Sequence, residues 1–183
     1  MKNITWTAHV KTAPTVAKYC KGCERKAFFA SSGLFRVNAH QKNLDVWLIY
    51  KCQACDTTWN LTVLTRVNPQ SIPAETLQGF HNNDPALALR TAADISLIKR
   101  NGGEPGRPIV EIKGEAVDCA EQTRIHLTAE QATELKVSAI LRERLSLSRS
   151  EWSRMLDSGK IKCISGQNLA KCKLAGEIII EIG

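Results

Sequence analysis

Tyr19-Cys-Lys-Gly-Cys23 and Lys51-Cys-Gln-Ala-Cys55 bracket the stretch, residues 19–59, whose reading decides the fold. A Cys-x-x-Cys pair closes a tight turn that aims two sulfurs at one point. Two such turns complete a tetrahedral shell of thiolates, which zinc fills at about 2.3 Å without water. Twenty-eight residues separate Cys23 from Cys52, more than the ~15–20 of the commonest spacing and enough for a strand, a turn and a returning strand. The pattern predicts an antiparallel zinc ribbon with an enlarged hairpin. Cys20, Cys23, Cys52 and Cys55 are the expected ligands of one structural zinc ion. A mixed site using His9 or His40 is the other donor set on offer. Gly22 is expected to give the first knuckle its unusual backbone angles.

Working outward, residues 1–19 alternate loosely around Trp6, His9 and Val10 before Pro14, and read as an edge strand leading into the first knuckle. Ala27-Phe-Phe29, a Ser31-Ser-Gly33 turn and Leu34–Asn38 follow. His40-Gln-Lys-Asn43 is turn-like, and Leu44–Tyr50 is a strand entering the second knuckle. Thr58–Val67, rich in β-branched and aromatic residues, is the clearest strand of the chain. Trp47, Tyr50 and Trp59 can be read as a base-stacking platform or as core, and the need of a small domain for aromatic burial favours core.

Beyond Pro69 the periodicity changes. A short helix is expected over 71–80 and, with Asp84 as N-cap and Pro85 at the first turn, a second through Leu87, Thr91, Ile95 and Ile98. Gly102–Pro108, rich in glycine and proline, reads as a linker. Ile109–Lys113 and Thr123–Leu127 are expected strands. Thr128-Ala-Glu-Gln131 and Ser148-Arg-Ser-Glu151 both have the form of a capping box. They predict one helix buried through Val137, Ile140, Leu141 and Leu145, and another through Trp152, Met155 and Leu156 that stops at Gly159. Lys160–Ile164 and Glu177–Ile182 close the chain as strands. The expected class is α+β: a zinc-ribbon domain over 1–70, a helical connector over 71–107 and a compact α+β unit over 108–183.

The whole-chain numbers fit this division. The chain of 183 residues is 43% hydrophobic and 23% charged, in the range of globular proteins rather than disordered or membrane ones. No apolar run approaches the ~20 residues of a spanning helix. Met1-Lys-Asn-Ile-Thr-Trp6 lacks the apolar centre of a signal peptide. Seven cysteines in that context imply reduced thiols and metal rather than disulfides, and a cytoplasmic location. The formal charge of +7 is uneven: residues 1–80 carry ten Lys/Arg against four Asp/Glu, residues 81–130 six against eight, and residues 131–183 nine against six. Two basic ends make a polyanionic partner a reasonable expectation.

Two resemblances add to this reading. Cys20-x-x-Cys23, Phe35-Arg-Val-Asn-Ala39, the run from Asp45 through Cys52 and Cys55 to Asn60, and Arg66-Val-Asn-Pro69 resemble the bacterial family known as domain of unknown function 1062. That likeness implies a bacterial cytoplasmic protein. Separately, the run Leu141-Arg-Glu-Arg-Leu-Ser-Leu-Ser-Arg-Ser-Glu-Trp-Ser-Arg-Met-Leu-Asp-Ser-Gly-Lys-Ile-Lys-Cys163 resembles the S-four-like RNA-binding fold. It differs where that fold begins its first helix with Arg-x-Asp, here Leu135-Lys-Val137, and where it follows the strand with Asn-Gly, here Ser165-Gly166. The likeness implies that Arg149, Arg154, Lys160 and Lys162 face RNA.

The expected function is therefore that of a non-catalytic zinc-binding protein that binds RNA through its C-terminal unit. The alternative is a zinc-stabilised protein-interaction module with no nucleic-acid role. A closed shell of four cysteines leaves no coordination position for water, so the zinc is expected to stabilise rather than catalyse. Cys119 and His126 are the only thiol and base that invite pairing as a nucleophile, and nothing in the sequence fixes their geometry. Gly102, Gly103 and Gly106 follow a predicted helix rather than a strand, so they form no dinucleotide fingerprint.

Overall fold

A computed structural model describes residues 1–40, 42–119, 121–130 and 135–183. In chain order the strands and helices are β1 (Lys2–Thr12), β2 (Val16–Cys20), β3 (Arg25–His40), β4 (Asn43–Cys52), β5 (Thr58–Val67), α1 (Ala74–Asn82), α2 (Pro85–Ala93), α3 (Ile95–Arg100), β6 (Glu104–Pro105), β7 (Ile109–Lys113), β8 (Thr123–Ala129), α4 (Val137–Arg144), α5 (Arg149–Asp157), β9 (Ile161–Cys163) and β10 (Glu177–Ile182). The class is α+β, as expected. The chain divides into two compact units, one of Val10–Ile109 and one of Met1–His9 with Val110–Gly183.

The unit of residues 10–109 is an antiparallel sheet, β5-β4-β3-β2-β6, with helices on one face. Its face is set by period-2 alternation in β4, where Leu44, Val46, Leu48, Tyr50 and Cys52 are buried and the residues between them are not. Val16, Phe29, Phe35 and Leu61 complete that inner face, and Phe80, Ala88, Ala92, Leu97 and Ile98 from α1, α2 and α3 cover it. Phe35 and Phe80 meet edge to face at 4.9 Å. The 71–107 segment is therefore part of this core and not a connector, because its apolar stripes have no other surface to bury.

Three local expectations need correction here, and a fourth falls partly outside the described residues. Ser31–Gly33 is not a turn between two strands but a bulge inside the single strand β3, where the register with β4 shifts and Gly33 takes φ +75°. The helix expected to run through Thr91 and Ile98 breaks at Asp94, whose carboxylate accepts from the Leu97 amide at 2.9 Å and caps α3. Within Gly102–Pro108, Glu104 and Pro105 pair with Ala17 and Val16 as β6. The expected His40–Asn43 turn includes residue 41, which lies outside the described residues.

The other unit is a mixed sheet, β7-β1-β8-β10-β9. The first strand was expected at an edge of the ribbon. It instead lies between β7 and β8, with Lys2–Ala8 running parallel to Thr123–Ala129. The physical reason is Trp6, which has no exposed surface. Its Nε1 donates to the Glu115 carbonyl at 2.8 Å, and the Arg144 guanidinium stacks 4.9 Å from its ring centre. Gly114 passes so close that a Cβ there would sit 2.3 Å from Trp6 Cδ1. Ile125, Leu127, Ile178 and Ile180 continue the core, closed by Val137, Ile140, Leu141, Leu145 and Trp152.

Both predicted capping boxes fall in this unit, and they end differently. Ser148 and Glu151 make both reciprocal bonds at the start of α5. Thr128 belongs to β8 and its hydroxyl donates to the Trp6 carbonyl, so no helix starts there. Gln131 of that motif lies outside the described residues, and α4 begins at Val137.

Candidate metal centre

The two knuckles join β2 to β3 and β4 to β5, so the pairing of β3 with β4 brings them together. Phe29 opposite Cys52 sets the register, and the Gln53 amide donates to the Phe28 carbonyl at 2.9 Å across the same point. The sulfurs of Cys20, Cys23, Cys52 and Cys55 all lie within 4.8 Å of one another. Cys20 Sγ is 3.5 Å from Cys55 Sγ, and Cys23 Sγ is 3.8 Å from Cys52 Sγ. A tetrahedron with metal–sulfur bonds of about 2.3 Å has edges of about 3.8 Å. A disulfide needs about 2.0 Å, and all four thiols are free. The donor set fits a tetrahedral metal ion.

Cys20 and Cys52 are buried, Cys23 is half-buried and Cys55 is exposed. Each knuckle turns on the residue after its second cysteine, Glu24 at φ 53° and Asp56 at φ 57°. This corrects the expectation for Gly22, whose φ is not left-handed. Gly22 is needed for space: a Cβ there would meet Thr57 Oγ1 at 2.3 Å and Cys55 Sγ at 3.1 Å. Thr57 is a member of the site that the sequence reading missed. Its hydroxyl lies 3.1 Å from Cys55 Sγ, and its carbonyl accepts from the Cys52 amide at 2.9 Å.

The electrostatics follow from crowding four thiols together. The Thr57 hydroxyl, with its amide and the Cys23 thiol, brings the Cys55 thiol down to about 6. The bond to Cys55, reinforced by burial, pushes Cys23 up to about 12. Burial opposes ionisation of Cys20, yet the amides of Cys23 and Gly22 and the Cys52 thiol leave it below an ordinary thiol. One sulfur ionises at the expense of its neighbours. A divalent cation at the centre relieves that conflict by accepting electron pairs from all four.

His9 and His40 are not in the cluster, whose four candidate donors are all cysteines. Tyr50 and Trp59 lie on the inner face, 5.1 Å apart, with Trp59 edge-on to Phe29 at 5.9 Å. Trp47 points the other way, half-buried, with the Arg36 guanidinium 5.9 Å from its ring centre. The three aromatics therefore do not form one platform.

The four cations expected to face RNA are all exposed. Lys160 and Lys162 border one shallow depression of about 170 Å³ that also includes Gln122 and Glu181. Arg149 and Arg154 lie five residues apart on α5, which turns them about 140° from each other. The geometry thus brings the two lysines together and separates the two arginines. Cys119 packs against the core, where burial raises its thiol, and His126 Nδ1 lies 2.8 Å from Glu177 Oε1.

Among the described residues, no helix is long and apolar enough to cross a membrane. A family profile described as "Protein of unknown function (DUF1062)" matches residues 37–167. The matched span includes Cys52, Cys55 and all four C-terminal cations, and begins after Cys20 and Cys23. No curated protein and no solved structure matches the chain.

Proposed function

The chain belongs to the DUF1062 family of proteins of unknown function, and we propose that it is a non-catalytic protein built around one structural zinc ion. Cys20, Cys23, Cys52 and Cys55 would hold the ion. The observation that carries this reading is the pair of sulfur separations, 3.5 and 3.8 Å, near the edge length of a zinc tetrathiolate. Four thiolates favour zinc over the harder cations, which take oxygen ligands. The ion supplies cross-linking between two hairpins, which is the role of a zinc ribbon. All four positions of a tetrahedral shell are taken by protein, so no substrate or water is activated there.

The finer reading assigns the C-terminal unit to an S-four-like fold that binds RNA through Arg149, Arg154, Lys160 and Lys162. Its support is the likeness of residues 141–163 to that fold and the exposure of all four cations. Metal analysis of freshly purified protein tests the first part: one zinc per chain is expected, and less than half an equivalent overturns it. Salt titration of RNA affinity tests the second. Four phosphate contacts give a log–log slope of roughly −3 to −4. Absence of RNA binding at low ionic strength removes the RNA reading and leaves the metal reading intact.

A further inference from the structure

The sheet of residues 10–109 has a second face, and its composition is unlike that of an ordinary solvated surface. The helices cover the side carrying Val16, Phe29, Leu48 and Tyr50. Alternation turns the residues between them outward. Tyr19 on β2 is 61% exposed and Phe28 on β3 is 60% exposed. Tyr19 pairs across the sheet with Lys26, and Phe28 with Ala17, so the two rings are diagonal neighbours at roughly 7–8 Å. On β4 the same face carries Trp47, opposite Arg36, and Lys51, opposite Ala30. Large aromatics left in water need a reason, because burying either ring is worth about 2 kcal/mol or more.

The charges on this face identify its occupant. Arg36 and Lys51 lie on the two central strands and make no ion pair among the described residues; the Arg36 guanidinium instead lies against the Trp47 ring. Two acids share this face, Glu104 on the edge strand β6 and Asp45 on β4 two residues from Trp47, and both are engaged. Glu104 on β6 is paired with Lys26 at 2.5 Å, and Asp45 accepts from the Arg66 amide at 2.8 Å. Flat rings interleaved with cations that no carboxylate pairs, on an open antiparallel sheet, suit a ligand that alternates flat bases with phosphates. A protein partner would be expected to meet an apolar centre depleted of charge. Duplexes present phosphates without exposed base faces and so would leave the rings unused.

We infer that the open face of this sheet binds single-stranded nucleic acid, with Tyr19, Phe28 and Trp47 stacking on bases and Arg36 and Lys51 contacting phosphates. This surface is made of other residues than the C-terminal cations, in the other unit, and the inference stands whether or not they touch RNA. Its chemistry also differs, since it adds base stacking, which releases no counterions, to phosphate contact, whose strength falls as salt rises.

The test is fluorescence anisotropy of the full-length, zinc-loaded protein with a labelled twelve-nucleotide oligouridylate and with a duplex of equal length. Single-strand binding is expected to exceed duplex binding. Tyr19→Ala and Phe28→Ala should each weaken it roughly five- to a hundredfold, with the salt slope unchanged, because neither removes a phosphate contact. Tyr19→Phe keeps the ring and should bind like the native chain, which separates stacking from loss of fold. Arg36→Gln with Lys51→Gln should instead flatten the slope by about 1.4. Unchanged zinc content and circular dichroism certify that each variant is folded. The inference is overturned by equal affinity for duplex and single strand, by binding that survives both alanine variants, or by no binding at low ionic strength. Capture of a protein that Phe28→Ala abolishes, without oligonucleotide binding, assigns the face to a protein partner and also overturns it. Arg149→Gln with Arg154→Gln leaves this face untouched, so failure of the C-terminal reading is scored separately.

Discussion

Cys20 Sγ sits 3.5 Å from Cys55 Sγ although 35 positions separate them, so the first cysteine of one knuckle faces the second cysteine of the other. Cys23 and Cys52 repeat the relation at 3.8 Å. The cage is therefore a cross-link between two hairpins rather than two separate staples. Removing the metal should loosen β2, β3, β4 and β5 together. Zinc binding at such sites supplies on the order of 10 kcal/mol of apparent folding free energy, which is comparable to the whole stability of a domain. Chelation, or Cys20→Ser, is expected to raise amide exchange throughout residues 16–67 while β8 and β10 stay protected. Protection that is lost evenly across both units would contradict this.

Gly22 and Thr57 give a sharper test of the same cage. An alanine at 22 would press its Cβ against Thr57 Oγ1, at 2.3 Å in the unrelaxed geometry. Gly22→Ala is expected to weaken zinc binding about ten- to a hundredfold, the usual effect of disturbing groups that orient metal ligands. Adding Thr57→Ala removes the clashing oxygen, so the double variant should bind zinc more tightly than Gly22→Ala alone. Competition against a coloured chelator measures all three proteins. Additive losses would mean that the two side chains do not share this space.

Trp6 yields the prediction that departs furthest from a reading by sequence order. It belongs to the hydrophobic core of Ile125, Leu141 and Ile180, residues far along the chain beyond the cysteine knuckles that follow it. Trp6→Ala should destabilise the unit containing β8 and β10 by about 3–5 kcal/mol, as truncating a buried aromatic does. Zinc content should not change. Hydrogen exchange read strand by strand distinguishes this from a general loss of stability, and exchange that rises first in β4 and β5 would refute the assignment.

How much of this was legible depended on whether the controlling interaction is local. The knuckles, the period-2 strands β4 and β10, the β-branched and aromatic run of β5, and the caps at Asp84 and Ser148 are written in residues a few positions apart. The partner of β1 is not: alternation around Trp6 marks a strand but cannot say that Ile4 lies beside Ile125. Thr128 shows local chemistry being overruled, since a residue suited to a helix cap is held in β8 by its neighbours in the sheet. Gly33 is needed equally by a turn and by a bulge, so only the pairing with β4 decides. The fate of the aromatics was available in principle. Trp47 and Tyr50 differ by three, an odd step, which must put them on opposite faces of one strand. The same parity, counted from buried Cys20 and Phe29, turns Tyr19 and Phe28 outward. Gly22 and Thr57 were harder, because their contact exists only once the two knuckles meet.

The cap of α5 makes the acid response of its unit predictable. Hydrogen bonds from the Ser148 hydroxyl and amide, aided by Arg154, hold the Glu151 carboxyl below its usual value of 4.5. A carboxyl lowered on folding contributes stability that is complete above its unfolded value and is lost as pH falls through the folded one. Glu151→Gln keeps an oxygen that can accept from the Ser148 amide but cannot ionise. The native chain should therefore be the more stable of the two from neutrality down to about pH 4.5, with a gap that is constant over that range. Below it the gap should close as Glu151 takes up its proton. Urea titrations at a series of pH values, following Trp152 on the same helix, measure the difference. A gap that widens with acid would mean that the Glu151 carboxyl is held protonated, and the capping box would then not be the source of its shift.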